Sequence, residues 1–493
     1  MKVFKTNCTF CRQLLVFMLV ALLSALVFVS PGCKSIQDDQ QPEDNGGGQE
    51  QIDEKELLDE TFRIDIKTIS VNFDYNTNEG NIDCYAVVTF QMREGRNRPL
   101  IHFDPAIRSP ELIDAIRLNG ETLDLSNPAD IQILTFDGST QEALEFQREL
   151  GPGIEHTLEM EYRLIVGMGV YQRFSVDVND IVGRGNEEIF PTLNTPHELA
   201  RHILTFNIYG FTLYRCIGSG VVEPVDSQEA IQSWRLDTER EVASYTVMFV
   251  LMPWDDVEYR ERVINGVDVR IMAFVEGPAI DEAFSALEQE LPELEANFGP
   301  FPMPRLSIFL VSIGGGMEYY GGTITTLTAL EHEVFHMYFG CSTVARTYRD
   351  TWFDEAVNQW YEYSRDPAYL PISSDYTSNI VSGRTPIAVG FDRRAYDEGA
   401  RIIQATAQEL GGRSEMIGFL QYLHLNYSFA PFNTIDFLDY LEDYSGIHMH
   451  DRFMDWLYSG GQSNSTSQSA ADAYKKEVDM TPPLEILRKY TGK

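Results

Sequence analysis

Two histidines and two glutamates have the spacing of a catalytic zinc site. His332 and His336 are four residues apart in the segment E-H-E-V-F-H, so on a helix they lie on one face, one turn apart. Two imidazoles at that spacing can bind one Zn²⁺, and Glu333 between them can act as a general base. Glu355, nineteen residues after His336, can return on a second helix as the third ligand. This His₂Glu set leaves one coordination position for water, so the spacing predicts a zinc hydrolase of the peptidase kind.

The flanking residues favour the two helices that such a site requires. One helix is predicted to begin at about Thr328, whose hydroxyl can cap it, and to end at Gly340. Apolar residues recur at helical spacing between these ends, at Leu330, Val334, Phe335 and Tyr338. The segment around Glu355, residues 353–363, has the same periodicity and predicts the second helix.

The overall composition limits the classes of protein to which the chain can belong. Its 493 residues are enough for two or three domains, and its net charge of −37 is strongly acidic. This charge excludes nucleic acid as a partner, because phosphate binding needs clustered Lys and Arg. We interpret the acidic surface as one that maintains solubility. The sequence does not indicate an oligomeric state.

Residues 1–33 have the pattern of an export signal. A short basic region precedes an uncharged apolar run at 13–30, and the small residues of S-P-G-C then lead to Cys33. This order resembles a bacterial lipoprotein signal, which implies that Cys33 becomes lipidated and is the new N-terminus. A cleaved secretory signal or an uncleaved anchor helix are the alternatives, although the run is short for a full span. We predict an exported protein of the bacterial cell envelope, anchored to the membrane as a lipoprotein.

The remaining sequence divides into a linker, two domains and a tail. Residues 34–60 are acidic and rich in Gln and Gly, which predicts a flexible linker. Period-two alternation recurs over residues 61–252 and predicts an N-terminal antiparallel β domain. Helical periodicity dominates residues 253–461, which hold the candidate zinc site, and residues 462–493 are a predicted tail. The predicted fold class is therefore α+β.

Individual elements are predicted from the same periodicities. After two long strands at the start of the β domain, further strands are predicted at 132–136, 157–166, 202–208 and 244–251. The second domain is predicted to contain strands at 267–275 and 306–311, an edge strand opened by Gly315-Gly316, and helices at 280–297, 394–410, 414–425, 434–444 and 450–458.

Three cysteines remain in the body of the protein if Cys33 is lipidated: Cys84, Cys216 and Cys341. Their wide spacing predicts neither a disulfide framework nor a cysteine-type zinc site. One bridge with an odd thiol and three buried free thiols are both consistent with the sequence.

Four ordered motifs resemble those of the aminopeptidase N family of zinc metallopeptidases. G-G-M-E-Y at 315–319 stands where the family carries G-x-M-E-N, and H-E-x-x-H follows it. W-F-D-E-A at 352–356 stands in place of W-L-N-E-G, and Y-D-E-G-A at 396–400 matches a later Y-x-x-G-A. The resemblance covers most of residues 61–461. It implies a β domain followed by a thermolysin-like, mainly helical catalytic domain with one Zn²⁺ per chain.

The resemblance implies a catalytic role for each matched polar residue. His332, His336 and Glu355 would hold the zinc, and Glu333 would deprotonate the zinc-bound water. Tyr396 would donate a hydrogen bond to the oxyanion of the tetrahedral intermediate.

The resemblance also implies how a peptide substrate would bind. Glu318 would pair with the free α-ammonium of the peptide, which fixes cleavage after its first residue. Gly315, Gly316 and Met317 would bring the strand backbone close to the peptide. Tyr319 departs from the family pattern, which has Asn at this place, so contacts at that point of the cleft are open.

Two other functions are compatible with the same residues. One is a zinc endopeptidase without capture of the peptide N-terminus, and the other is a non-catalytic envelope protein that binds peptides. The intact Glu333 argues against the second, since a binding protein has no need of the base. The remaining histidine pairs are interpreted as unrelated to metal: His197 and His202 are five residues apart and cannot share a metal from one helix face, and His448 and His450 are predicted surface residues.

Overall fold

The computed structural model describes most of the chain between residues 63 and 458. The described ranges are 63–77, 81–94, 97–135, 142–165, 174–175, 186–193, 195–210, 212–225, 231–312, 315–365 and 394–458. The predicted signal with Cys33, the linker at 34–60 and the tail at 462–493 lie outside the described residues. Within these ranges, no helix is long and apolar enough to cross a membrane.

The N-terminal part of the described chain is built mainly from strands. They are β1 (Ile64–Asn76), β2 (Asn81–Met92), β3 (Leu100–Ile101), β4 (Ile113–Leu118), β5 (Glu121–Leu123), β6 (Ile131–Thr135), β7 (Glu142–Phe146), β8 (Glu155–Ile165), β9 (Phe174–Ser175), β10 (Leu199–Tyr209), β11 (Tyr214–Gly218), β12 (Val221–Val225), β13 (Ile231–Ala243) and β14 (Phe249–Pro253), with one short helix, α1 (Asp104–Arg108).

Eight of these strands form one sheet in the order β12-β13-β10-β1-β2-β8-β4-β5. Its neighbouring pairs are antiparallel except β1 and β10, which run parallel. Two three-stranded sheets, β11-β14-β9 and β3-β7-β6, complete this part. The mainly antiparallel character predicted from the alternation is thus confirmed.

The alternating pattern of β1 explains which face of the large sheet is buried. Ile64 and Ile66 are fully buried, and after a change of phase Ile69 and Phe73 are buried as well. The phase changes because a bulge between Ile66 and Thr68 interrupts the register with β2. Apolar side chains on both sides of the bulge therefore reach the same core.

The predicted strand at 244–251 is wrong in its first half. Ser244–Thr246 form a 3₁₀ turn, and β14 begins only at Phe249. The Thr246 hydroxyl donates to the carbonyl of Ala243 at 2.8 Å, and the Ser244 hydroxyl bonds to His202 Nε2 at 2.9 Å. The local bond from Thr246 favours a turn over a sheet ladder, and the long-range bond from Ser244 to His202 holds the turn in place.

A second, mixed sheet follows the β-rich part. Its strands are β15 (Val257–Ile264), β16 (Val267–Phe274), β17 (Arg305–Leu310), β18 (Gly316–Tyr319) and β19 (Gly322–Thr325), in the order β15-β16-β17-β19-β18. The pairs β16–β17 and β17–β19 are parallel, and the long helix α2 (Ile280–Phe298) connects the first pair, as a parallel pairing requires. The predicted edge strand is confirmed, because β18 lies at the end of this sheet.

Helices dominate the chain after β19. They are α3 (Leu330–Phe335), α4 (Trp352–Ser364), α5 (Arg394–Leu410), α6 (Arg413–Tyr427), α7 (Thr434–Ser445) and α8 (His450–Tyr458). The five helices predicted outside the zinc motifs are confirmed to within two residues at each end. The described chain is therefore β-rich in its N-terminal part and helical in its C-terminal part, in agreement with the predicted α+β class.

The β-rich part contacts the mixed sheet next to its edge strand. The backbone amide of Tyr320, just after β18, donates to the carbonyl of Thr246 at 2.8 Å. Arg270 on β16 and Arg305 on β17 both donate to the carbonyl of Val222, at 3.0 and 3.3 Å. The Tyr320 contact fixes the end of β18, and the two arginine contacts join β16 and β17 to β12.

The three cysteines of the body are buried free thiols. Cys84 and Cys216 lie on β2 and β11, and Cys341 follows the turn after α3. The alternative of one disulfide with an odd thiol is therefore wrong. Burial raises the pKa of all three thiols, so they behave as small apolar side chains rather than as nucleophiles.

Candidate metal centre

The two motif histidines lie at the end of a helix that is shorter than predicted. The α3 helix covers only Leu330–Phe335, and His336 follows it as C-cap residue with φ −56° and ψ −21°. The predicted cap is wrong: Ala329 is the N-cap residue, and the Thr328 hydroxyl bonds to that of Thr326 at 3.0 Å. Because His336 keeps helical backbone angles, the two imidazoles still project from one face.

Three side-chain atoms from α3 and α4 converge to form a compact triangle. His332 Nε2 lies 3.0 Å from His336 Nε2 and 3.2 Å from Glu355 Oε2, and the third edge, from Glu355 Oε2 to His336 Nε2, is 3.5 Å. Ligands of a tetrahedral Zn²⁺ ion are about 3.3–3.6 Å apart, since each is about 2.0–2.2 Å from the ion. The spacing of these three atoms therefore fits a single zinc ion.

The electrostatics of the triangle also favour a cation. Burial alone would lower the pKa of His332, but its contacts with Glu355 and Glu362 raise it to about 9. Burial alone would raise the pKa of Glu355, but His336 and His332 lower it to about 2. Both shifts arise because the imidazoles and the carboxylates attract each other when charged, and a bound cation would take the place of the imidazole proton.

Two acidic residues on α4 orient the histidine rings. His336 Nδ1 donates to Asp354 Oδ1 at 2.6 Å, and His332 Nδ1 lies 3.4 Å from Glu362 Oε2. A hydrogen bond from the distal ring nitrogen leaves the lone pair of Nε2 for the metal. Gly340 makes room for this arrangement: it has φ +131°, and a Cβ at this position would lie 2.3 Å from Asp354 Oδ1.

Glu333 lies buried beside the triangle, under the edge strand. Its side chain is 4% exposed, and its Oε2 has no hydrogen-bond partner among the described residues. Burial raises the pKa of Glu333 to about 7, against the opposing effect of the two histidines. A Cβ on Gly316 would lie 2.3 Å from Glu333 Cγ, so the absence of a side chain at Gly316 leaves the space that Glu333 occupies. This carboxylate can accept a proton from a molecule bound at the centre.

Glu318 reaches the same site from β18. Its carboxylate oxygen lies within 4.8 Å of ligand atoms of His336 and Asp354. Burial raises the pKa of Glu318, and the carboxylates of Asp354 and Glu333 raise it further. Met317 lies beside it on the strand and is half-buried. Gly315 precedes the strand, and a Cβ there would meet no atom within 4 Å, so nothing around this residue requires a glycine.

Tyr396 lies in the first turn of α5 and contacts both Glu355 and His332. Its hydroxyl donates to Glu355 Oε1, while the other oxygen of Glu355 faces the two histidines. Its ring lies parallel to that of His332, with an interplanar angle of 18° and 6.1 Å between centroids. Burial raises the pKa of Tyr396, so the hydroxyl stays protonated and acts as a hydrogen-bond donor.

The other two histidine pairs are His197 with His202 and His448 with His450, and the surface prediction for the second pair agrees with the structure only in part. His197 and His202 are not brought into any metal-binding group among the described residues, and burial lowers the pKa of His202 to about 3. His448 is exposed, as predicted, but the surface prediction is wrong for His450, which is only 8% exposed. The ring of His450 packs parallel to that of His448 and is covered by it on one side.

Asp354 and Glu362 contact the motif histidines and were not predicted as site residues from the sequence. Both were visible in the sequence: Asp354 is part of the W-F-D-E-A motif, and Glu362 follows Glu355 by two helical turns. Their roles depend on which ring nitrogen faces the metal, and residue spacing alone does not reveal that orientation.

The comparisons with known proteins identify similar folds. A two-domain M1 zinc metallopeptidase, in a mutant form bound to L-tryptophan, has a TM-score of 0.62 and 16% identity over 82% of this chain and 95% of that one. The M1 zinc metallopeptidase from Deinococcus radiodurans has a TM-score of 0.60 at 16% identity, with 82% and 94% covered.

A larger protein shares the fold over part of its length. Legionella pneumophila aminopeptidase A, in complex with aspartic acid, has a TM-score of 0.64 and 13% identity, covering 80% of this chain and 49% of that one. No family model and no curated protein matches the sequence. The β-rich part, the helical part and their order are therefore those of the two-domain M1 zinc metallopeptidase fold.

Proposed function

We propose that this protein is a zinc metallopeptidase, and that it acts as an aminopeptidase on peptide substrates. The observation that carries the proposal is the convergence of His332, His336 and Glu355 on one point, with the buried carboxylate of Glu333 beside it. The fold similarity supports the same class of enzyme. We assign this chemistry to a thermolysin-like catalytic domain at 253–461, preceded by the β domain at 61–252.

The residues of the centre would have separate roles in metal binding, ligand orientation and proton transfer. His332, His336 and Glu355 would hold the metal, and Asp354 and Glu362 would keep both imidazoles in the required orientation. Zinc, when bound, supplies a Lewis acid that lowers the pKa of water. Glu333 would accept the proton of the attacking water, because its Oε2 has no other hydrogen-bond partner in the described part of the chain.

Tyr396 would stabilise the negative charge that develops on the substrate carbonyl oxygen. Its hydroxyl now donates to Glu355 Oε1, the carboxylate oxygen that is not part of the ligand triangle. To reach a substrate oxygen, the hydroxyl exchanges this acceptor for the substrate. The buried setting strengthens such a hydrogen bond, because water does not compete for the donor.

Amine capture by Glu318 is the basis for choosing an aminopeptidase over an endopeptidase. The carboxylate stands on the edge strand within 4.8 Å of the ligand atoms of His336 and Asp354, where it can accept hydrogen bonds from a peptide ammonium group. The similar structures include a mutant M1 zinc metallopeptidase from Deinococcus radiodurans bound to the substrate Tyr-Ser-Ala, at a TM-score of 0.62. A free peptide N-terminus is the corresponding ligand proposed for this chain.

Paired peptides with free and acetylated N-termini test this assignment. We expect zinc-loaded protein lacking the first 51 residues to cleave only the free-amine peptides, at their first peptide bond. Glu318→Gln should lower kcat/KM for these peptides by at least about tenfold, because the charge that attracts the ammonium is lost. Glu331→Gln, which changes an exposed carboxylate on α3, is the matched control and should leave kcat/KM unchanged. Comparable cleavage of acetylated peptides at internal bonds would instead establish an endopeptidase.

We also propose that the enzyme works in the bacterial cell envelope, tethered to the membrane through a lipid on Cys33. The support is the order of the basic region, the apolar run and the small residues before Cys33.

A further inference from the structure

A second group of metal-ligating side chains lies where α7 meets α8. Glu442 is on the last turn of α7, His448 is in the connection, and His450 is the first residue of α8. One ligand atom from each of the three lies within 4.8 Å of the others. None of these residues takes part in the proposed peptidase chemistry.

The chain reverses sharply at the end of α7, and this turn brings the three side chains together. Gly446 ends the helix with φ 71° and ψ 11°, a left-handed conformation that favours glycine. The next residues return alongside the last turn of α7, so that His448 Nδ1 lies 2.7 Å and His450 Nδ1 lies 3.6 Å from Glu442 Oε2. The same carboxylate oxygen therefore faces both imidazoles, whose rings are parallel with centroids 4.6 Å apart.

The hydrogen bonding of His450 leaves one buried ring nitrogen, Nδ1, without a hydrogen-bond partner among the described atoms. Its Nε2 lies 2.8 Å from Asp439 Oδ1, and since a carboxylate only accepts, Nε2 carries the hydrogen. In the neutral ring Nδ1 then has a lone pair, and it is buried without a hydrogen-bond partner among the described atoms. An acceptor nitrogen facing a carboxylate oxygen is unfavourable unless a positive charge lies between them.

We propose that Glu442, His448 and His450 form a second metal site, which binds a divalent transition-metal ion of the Zn²⁺, Cu²⁺ or Ni²⁺ type. Two imidazoles and one carboxylate are ligands that these ions prefer, whereas Ca²⁺ and Mg²⁺ prefer oxygen ligands only. Asp439 completes the carboxylate–histidine–metal arrangement that orients a metal-binding imidazole.

The site is open to an ion from solution, although one of its ligands is buried. The side chains of His448 and Glu442 are 61% and 43% exposed, while that of His450 is 10% exposed. Solvent therefore reaches two of the three proposed ligands, and water can fill the remaining coordination positions of a bound ion. The bound ion would tie the end of α7 to the start of α8.

This connection supports the helix that carries Glu355. Phe453 on α8 packs against Trp352, the first residue of α4, with 5.5 Å between ring centroids. Trp352 in turn donates from Nε1 to the Thr434 hydroxyl at the start of α7, at 3.1 Å. The second ion is therefore expected to raise thermal stability without taking part in turnover.

Metal binding by the full-length protein in detergent, after removal of bound metal with a chelator, tests the proposal. Calorimetric titration with Zn²⁺ should show two ions per wild-type chain and one per chain in His448→Ala and in Glu442→Gln. Asp443→Asn removes the same charge from the neighbouring exposed residue of α7 and should still bind two ions. Circular dichroism of each variant establishes that it is folded.

A second measurement isolates the new site from the candidate catalytic centre. The double variant His332→Ala/His336→Ala loses two catalytic ligands, and it should bind one Cu²⁺ ion whose electron paramagnetic resonance spectrum shows coupling to imidazole nitrogen. Adding His448→Ala should remove this signal. Failure of the His332→Ala/His336→Ala variant to bind an ion, or an ion in that variant that persists when His448→Ala is added, would overturn the proposal. Neither readout depends on peptidase activity, so the outcome is independent of the proposed function.

Discussion

At the scale of single residues, the centre is organised by the acidic groups around two buried imidazoles. Asp354 and Glu362 contact the ring nitrogens that point away from the metal position, and Glu355 contacts those that point toward it. If the proposed zinc ion binds here, its affinity would depend on Asp354 and Glu362 as well as on the three proposed ligands.

Asp354→Asn tests the contribution of the shorter of the two outer contacts. We expect the affinity for zinc to fall about 10–100-fold, because the amide orients His336 but no longer supplies a negative charge. Competition with a zinc chelator measures the dissociation constant.

Glu362→Gln is the control for this substitution. It removes the charge of a carboxylate that lies 3.4 Å from His332 Nδ1 and is 37% exposed. Because this contact is longer and more exposed to water, the affinity for zinc should fall clearly less than in Asp354→Asn. Equal zinc affinities in the wild type and in Asp354→Asn would contradict the assigned role of Asp354.

At the scale of elements, the edge strand β18 lies against the side chain of Glu333 at Gly316. We expect Gly316→Ala to lower kcat by at least about tenfold with zinc content unchanged, because the new methyl group would occupy the place of the Glu333 side chain. Gly315→Ala adds the same methyl group where no described atom lies within 4 Å, so it should lower kcat less than Gly316→Ala does. Steady-state kinetics and metal analysis of both variants measure kcat and zinc content. A larger loss of kcat in Gly315→Ala than in Gly316→Ala would contradict the proposed packing of Gly316 against Glu333.

The contact between Glu198 and β1 predicts that the free energy of unfolding depends on pH. Glu198, just before β10, accepts a hydrogen bond from the amide of Ile66 and pairs with Arg93 at 3.0 Å. Burial nevertheless raises the pKa of Glu198 from 4.5 to about 7. The folded state therefore retains a proton that the unfolded state loses, and the free energy of unfolding should fall by up to about 3 kcal/mol as the pH rises from about 4.5 to about 7.

Glu198→Gln should flatten this dependence, because the amide does not titrate. Urea unfolding at pH 5 and pH 7 measures the difference for the wild type and the variant. Glu223→Gln, at an exposed position of β12, should keep the wild-type difference. An unchanged pH dependence in Glu198→Gln would show that this carboxyl does not cause it.

Regular elements and the ligand set could be predicted from the sequence, because their periodicity and spacing are local. The helix at 450–458 and the edge strand agree with the structure for this reason. The turn at Ser244–Thr246 could not be predicted, since Ser244 bonds to the distant residue His202. The early end of α3 at Phe335 also differs from the predicted end at Gly340. The burial of His450 depends in the same way on the packing of α8.

At the scale of the whole molecule, the β-rich part positions the end of the edge strand through Thr246 and Tyr320. This contact makes the geometry of the site depend on residues more than 70 positions away in the sequence. The sequence before residue 63 lies outside the described residues, and its predicted role is to attach the protein to the membrane.

Cys33→Ser tests the predicted membrane attachment. If Cys33 carries the lipid, the variant should leave the membrane fraction, while Cys84→Ser, at a buried thiol of β2, should not. Fractionation of the producing cells followed by immunoblotting measures the distribution. Unchanged membrane association of Cys33→Ser would favour an uncleaved anchor helix.

The most direct test of the central claim compares zinc-loaded wild type with Glu333→Gln on a free-amine peptide. Turnover should fall by about 10²–10⁴-fold or more, because the amide does not accept the proton of the attacking water. Metal analysis should find the zinc ion at His332, His336 and Glu355 retained in both proteins, since Glu333 is not part of the ligand triangle. Activity near that of the wild type in zinc-bound Glu333→Gln would contradict the proposed mechanism.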